Sequence, residues 1–387
     1  MKRNRTVLLI GLLLVALNFR PAITSIPPVL EAIRADLGLS YTAVSLLTTV
    51  PTLLIGLFAF SAAPVSRLLG RERAILWATV LVGVGTALRV WGATAVVLFG
   101  TTVLIGIGIA ISQTLLPSIV NDYFPERAAL VTGLYTTSLG IGAAVAAGGT
   151  APLTGVLGSW PRALAVWAVL AGIAAAVWAP ISRSDDSGSR GAQSTQNQLP
   201  WQHTGAWITT LFFSAQTLLY YSELTWIAPL YVDLGWETER AGFVLTLFVI
   251  AQLGGSLGIP ALADRWTDRR PWLVLAGVLN AIGLVGFVWF PFVSPWGWGI
   301  LTGIGMGGLF ALGLTLPSDL APNADAAGRL TAMMIGVGYV VGAVGPVAIG
   351  GARDLLGSYD PSFIVLLGLN VAMLVTMLWF RPNRSVA

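Results

Sequence analysis

The sequence predicts an all-α integral membrane protein whose twelve transmembrane helices form two pseudo-symmetric six-helix bundles. Three observations carry that reading. Hydrophobic residues make up 56% of the 387 and charged ones only 10%, against roughly 25% charged in a soluble domain. Apolar stretches of about 20 residues, the length a bilayer core requires, recur along the whole chain. Fragments of the first half return in the second in the same order. Asp36-Leu37-Gly38 returns as Asp233-Leu234-Gly235 (offset 197), and Ser66-Arg67 as Asp264-Arg265 (198). Leu116-Pro117-Ser118 returns as Leu316-Pro317-Ser318 (200), and Leu157-Gly158-Ser159 as Leu356-Gly357-Ser358 (199). So constant an offset marks two homologous halves, and in a membrane that organisation points to a transporter.

The first bundle is expected over residues 1–181, with helices near 6–30, 41–65, 74–92, 95–120, 128–157 and 161–181. Residues 182–204 turn to Ser, Gln, Gly, Asp and Asn, the composition of a solvated linker. The second bundle occupies 205–387, with helices near 205–230, 240–262, 272–292, 296–320, 329–356 and 361–380. The basic start, Met1 to Arg5, leads into an apolar run that continues past Pro21, so it reads as the first helix rather than a cleaved leader. With both termini cytoplasmic, fifteen Lys and Arg fall inside and five outside (Arg34, Arg89, Arg162, Arg240 and Arg353), with Arg20 in neither class. That excess places the chain as a multi-pass protein of the cytoplasmic membrane. The net charge of +4 is spread along the loops, so nucleic acid is not an expected partner.

Arg20 stands about fourteen positions into the first helix. Arginine there costs roughly 2.5 to 3.5 kcal/mol on insertion scales, so such residues usually face a cavity and mark a substrate or ion path. Pro21 removes a backbone donor and permits a kink. Thr24 lies four positions on, on the Arg20 face of an unbroken helix, whereas Asn18 would point elsewhere. A guanidinium grips planar or carboxylate-like anions through paired hydrogen bonds; the structural alternative is a salt bridge between helices.

Glu223 is the second intramembrane charge, and Gln216, Tyr220 and Glu223 at i, i+4 and i+7 form one polar stripe. Three roles are open to Glu223: a structural pair with Arg20, a gate broken by substrate, or a protonatable carboxylate that couples transport to protons. Gln113, one turn before Pro117, serves either ligand or a neighbouring helix. On the cytoplasmic side, Arg67, Arg71, Asp122, Asp264 and Arg265 are candidate ion-pairing residues of a gate; their plainer role is topological. Gly303, Gly305 and Gly308 spell G-x-G-x-x-G, but inside an apolar helix with no preceding strand, so they and Gly254 with Gly258 are read as helix-packing glycines. Gly345-Pro346 makes the eleventh helix bendable. With no cysteine and one histidine, His203 in the linker, neither a metal site nor a catalytic constellation is expected, and no cofactor.

The second-helix loops, with Arg67, Gly70, Arg71 and Arg73 in one half and Asp264-Arg265 in the other, resemble the signature of the major facilitator superfamily. Ser66 replaces the expected Asp. Within it, Leu17-Asn18-Phe19-Arg20-Pro21-Ala22-Ile23-Thr24-Ser25 is similar to the first-helix motif of the cyanate and 2-nitroimidazole transporter family. Gly106-x-Gly108, Leu115-Leu116-Pro117, Phe124-Pro125, Gln216, Trp226, Gly307-Gly308-x-Phe310 and Gly345-Pro346 support it. The resemblance implies a monomeric secondary transporter for a small polar or anionic solute, working by alternating access. It puts Arg20 at the substrate and places helices one, four, seven and ten on the cavity, so the implied contacts are Arg20, Thr24, Gln113, Gln216, Tyr220, Glu223 and Phe310. Gln113, Glu223 and Ile335 depart from the family pattern, which leaves the solute itself open. A second reading is proton-coupled drug or nitroimidazole efflux through Glu223. A reading of another class is a sensor that keeps the fold without moving solute; the short tails, which offer no signalling domain, weigh against it.

Overall fold

The computed structural model describes residues 5–58, 68–183, 199–266 and 268–380. Every regular element among the described residues is helical. The chain packs as two compact units, one comprising Met1–Leu39 and Val50–Gln196, the other Ser40–Thr49 and Asn197–Ala387.

In the first unit, the apolar run after Arg5 is a broken helix. It runs as α1 (Arg5–Leu17), α2 (Pro21–Thr24), a 3-10 turn over Pro27–Val29, and α3 (Leu30–Leu37). Pro21, Pro27 and Pro28 each lack an N–H and fix φ, so the backbone ladder cannot run through. Next come α4 (Tyr41–Phe58), α5 (Arg71–Leu88), α6 (Ala95–Tyr123), α7 (Ala128–Leu157), α8 (Trp160–Val166) and α9 (Ala168–Ser182). The first nine residues of α4 and its cap, Ser40, belong to the second unit. Helix α1 packs against α7 and α9, and α5 against α6. Gly142 of α7 sits on the Leu17 carbonyl and the Pro21 ring, where any Cβ would overlap.

The second unit contains α10 (Thr204–Asp233), α11 (Thr238–Ala263), α12 (Arg270–Trp289), α13 (Pro295–Leu320), α14 (Ala324–Gly342), α15 (Val344–Leu356) and α16 (Asp360–Met377). Helix α13 lies between α11 and α12. Gly303 and Gly307 meet the Phe248 and Gln252 carbonyls on one side, and Gly305 meets the Ala276 carbonyl on the other. The backbones therefore approach to a distance that only glycine permits. The expected packing role of Gly254 and Gly258 does not hold: both face open space, and Gly255, against Ile304, makes the close approach. Also in this unit, the Asp354 carboxylate accepts from the Tyr41 and Thr42 N–H groups, each at 2.8 Å, and from the Thr42 hydroxyl at 2.6 Å. It caps the start of α4, beside Ser40, which accepts from Ala43 N–H. Arg353 pairs with Asp233 and lies 5.1 Å from the Tyr41 and Tyr359 ring centres.

The repeat is visible in backbone conformation. Gly38 and Gly235 both end a helix at positive φ (62° and 88°), as do Gly158 and Gly357 (61° and 74°), a left-handed closure that favours glycine. Eleven helical stretches among the described residues are long and apolar enough to cross a membrane. Helix α10 is not among them by hydropathy, because Thr, Ser, Gln216, Glu223 and Asp233 dilute its apolar residues; its 30 residues nonetheless span about 45 Å at 1.5 Å per residue.

Candidate substrate site

In the first unit the candidate residues gather at the break between α1 and α2. Arg20 opens α2: its carbonyl accepts from the Ile23 and Thr24 N–H groups at 2.9 and 2.8 Å, and its residue is 7% exposed. The break is tied down from α7, since the Thr24 hydroxyl reaches the Arg20 carbonyl at 3.0 Å and the Ala143 carbonyl at 3.1 Å. Asn18, which an unbroken helix would turn away from Arg20, lies in the non-helical Asn18-Phe19-Arg20 segment and is 3% exposed. Its amide Nδ2 has no hydrogen-bond partner among the described residues. Gln113 is half-buried on α6, next to Ser112, whose buried hydroxyl oxygen has no partner among the described residues.

In the second unit, α10 carries the predicted stripe. Gln216 is buried, with Nε2 3.9 Å from the Met306 sulfur. Tyr220 meets Tyr221 edge to face at 5.1 Å and stacks on Phe248 at 6.1 Å. Phe310 is partly exposed, 6.1 Å from Phe213. Glu223 is fully buried. The Asn280 amide of α12 donates to both carboxylate oxygens, at 2.9 and 3.2 Å, while Asn280 Oδ1 is buried without a partner among the described residues.

The cytoplasmic-gate candidates divide. Arg71 pairs with Asp122 at 2.5 Å, joining the start of α5 to the end of α6, where Tyr123 also donates to Glu72 at 2.8 Å. Asp264 pairs with Arg269 at 3.5 Å, and Arg269 reaches Asp319 at 3.3 Å and the Thr315 hydroxyl. Arg265 is exposed, and Arg67 lies outside the described residues. The side-chain N–H groups of Arg270 hold the neighbouring Asp268 carboxyl below its ordinary range. No cluster of three or more His, Cys, Asp or Glu suited to a metal occurs among the described residues.

Two polar residues of these interiors escaped the sequence reading. Asn280 carries no charge and sits singly in the apolar helix α12, so only its burial singles it out. Arg89 falls at the end of the helix expected near 74–92 and reads from sequence only as one of the five outside charges; it is fully buried.

Comparison with known proteins settles the family. A model of the Major Facilitator Superfamily matches residues 8–346 and, in a second overlapping match, 227–387. The chain belongs to the Major Facilitator Superfamily. It is 30% identical to the cyanate transport protein of Escherichia coli over 97% of this chain and 98% of that one. It is 31% identical to the 2-nitroimidazole transporter of the same organism (96% and 94% covered), and 34% identical to an uncharacterized transporter of Bacillus subtilis (95% and 91%). Among solved structures it resembles a D-xylose–proton symporter, with TM-score 0.77 at 15% identity over 98% of both chains. It also resembles a nucleoside transporter, with TM-score 0.74 at 11% identity over 96% of this chain and 99% of that one. These two share the superfamily fold. The protein is thus a multi-pass membrane transporter for small molecules and not an enzyme.

Proposed function

We propose that this superfamily member moves a small anion across the cytoplasmic membrane by alternating access, with Arg20 as the group that meets the substrate. The carrying observation is a buried guanidinium at the break of the first span, a place where the helix ladder is already interrupted. An arginine inside the bilayer is costly unless it faces a partner or a path, and a broken helix supplies backbone groups and room around it. The similarity to a cyanate transport protein supports the anion class. In this reading the bundles 1–181 and 205–387 expose the substrate alternately to each side of the membrane, with the linker 182–204 and both termini cytoplasmic, in a monomer. Gln113, Gln216 and Tyr220 orient the solute, Thr24 and Phe310 line its surroundings, and Arg71–Asp122 and Asp264–Arg269 close the cytoplasmic end. In proteoliposomes, purified wild type should exchange cyanate across the membrane and Arg20→Gln should not, at equal incorporation. Equal exchange by both proteins would refute the assignment.

A second reading is favoured by one observation: Glu223 is wholly buried and its partner within the unit is a neutral amide. A buried carboxylate faced by an amide is a place to load and release a proton. Proton-coupled export of a neutral or cationic solute, such as a nitroimidazole, would then depend on Glu223. An imposed pH gradient that drives export in wild type but not in Glu223→Gln would support it.

A further inference from the structure

We propose that Arg89 is the positioning residue of the Arg20 site: its guanidinium takes the backbone carbonyl that the broken first span releases, and so fixes the short turn that presents Arg20. This rests on the reading of Arg20 as the anion contact.

Arg89 ends α5 in a 3-10 turn, Arg89–Trp91, and is 0% exposed. Nη1 donates to the Ala22 carbonyl at 2.8 Å, and Nη2 to the Thr102 hydroxyl oxygen at 3.3 Å. Thr102 sends its own proton to the Leu98 carbonyl at 2.8 Å, so its oxygen is left to accept. Among the described residues no carboxylate pairs with Arg89, and its Nε has no acceptor. Burying a guanidinium without an anion is costly in desolvation, so a plain ion-pair staple does not explain it.

The Ala22 carbonyl explains the geometry. In an unbroken helix it would accept from the Ile26 N–H, four residues on. That N–H instead reaches Ile23 at 3.2 Å, as the chain tightens ahead of Pro27 and Pro28. The Ala22 oxygen is thus released two residues after Arg20, in an interior where an orphaned carbonyl is costly. The planar fork of arginine fixes direction as well as distance. The break is therefore gripped from two flanks: by α7, through Thr24, Ala143 and Gly142, and by Arg89 at the end of α5. Substituting Arg89 removes one grip without touching Arg20.

The test compares full-length wild type with Arg89→Met, which keeps length and loses every donor, and Arg89→Lys, which keeps charge and loses the fork. Amide exchange over residues 18–26 should be at least tenfold faster in both, with α6 and α7 unchanged. Cyanate, followed by thermal stabilisation, should bind Arg89→Met at least tenfold more weakly, with partial recovery in Arg89→Lys. Unchanged exchange and binding in folded variants would overturn the proposal. So would uniform loss of protection across α5 to α7, which would make Arg89 a general core residue. Should Arg89→Met not fold, the same readouts on Arg89→Lys decide. Should wild type bind no anion, the Arg20 reading fails, and exchange over 18–26 alone decides whether Arg89 holds the break.

Discussion

Asn280→Leu exposes what the buried Glu223 depends on. In the native protein one amide serves both carboxylate oxygens, at 2.9 and 3.2 Å, and both residues are 0% exposed. Leucine removes the donor and leaves an unsatisfied buried carboxyl, a loss of about 2–3 kcal/mol. Glu223→Met alone strands the Asn280 amide, at about 1–3 kcal/mol. The double variant replaces both partners by apolar side chains of similar volume, so it should cost less than the sum by at least about 1 kcal/mol. Glu223→Gln should be neutral within about 1 kcal/mol, because its new amide N–H can reach the Asn280 Oδ1 that now lacks a partner. Reversible unfolding by sodium dodecyl sulfate in mixed micelles, followed through the 15 tryptophans, reads each value. Additivity of the two single losses to within about 0.5 kcal/mol would refute the coupled pair.

Other outcomes follow from the same contacts. Asp354→Ala removes the acceptor of two α4 N–H groups and the Thr42 hydroxyl; it should cost about 1 kcal/mol and speed amide exchange at Tyr41 and Thr42, and unchanged exchange there would remove the cap from the account. Gly307→Leu, placed against the Gln252 backbone, should prevent accumulation of folded protein, whereas Gly254→Ala, facing open space, should leave the melting temperature within about 2 °C; the reverse pattern in size-exclusion yield would contradict the packing. The Asp268 carboxyl, held low mainly by the Arg270 side chain, has a folded value below its unfolded one. Its contribution is therefore present above the ordinary carboxylate range near pH 4 and fades as pH falls through the depressed value. For so exposed a pair the contribution is small, because solvent screens it. Asp268→Asn should lower stability slightly at pH 7 and converge on wild type near pH 2; a constant difference across that range would show that charge is not its origin.

The repeat was the most legible part of the fold. Asp-Leu-Gly and Leu-Gly-Ser recur because each closes a helix on a glycine at positive φ, a local demand that sequence expresses directly. Breaks were also legible where proline makes them, at Pro21 and around Gly345-Pro346, where α14 gives way to α15 at Ala343. What escaped were choices made by neighbours. Nothing within α12 marks Asn280 as the partner of a residue 57 positions earlier. Arg89 reads as an outside topological charge because topology counting sees position along the chain, while its burial depends on a carbonyl released 67 residues away. Gly255 rather than Gly254 or Gly258 touches α13, because helix rotation, which sequence does not state, selects the face. Asn18 joined the Arg20 segment only because α1 ends at Leu17, four residues before Pro21.

The central claim, that Arg20 binds an anionic solute, is tested most directly by thermal unfolding of wild type and Arg20→Gln with small anions, zwitterions, cations and neutral nitroimidazoles. A true ligand at a hundred times its dissociation constant adds about 2.7 kcal/mol to the folded state. An anion should stabilise wild type and not the variant, with both proteins equally folded in its absence. Stabilisation by cations or neutral solutes alone, identical in the two proteins, would contradict it and move the substrate to Glu223.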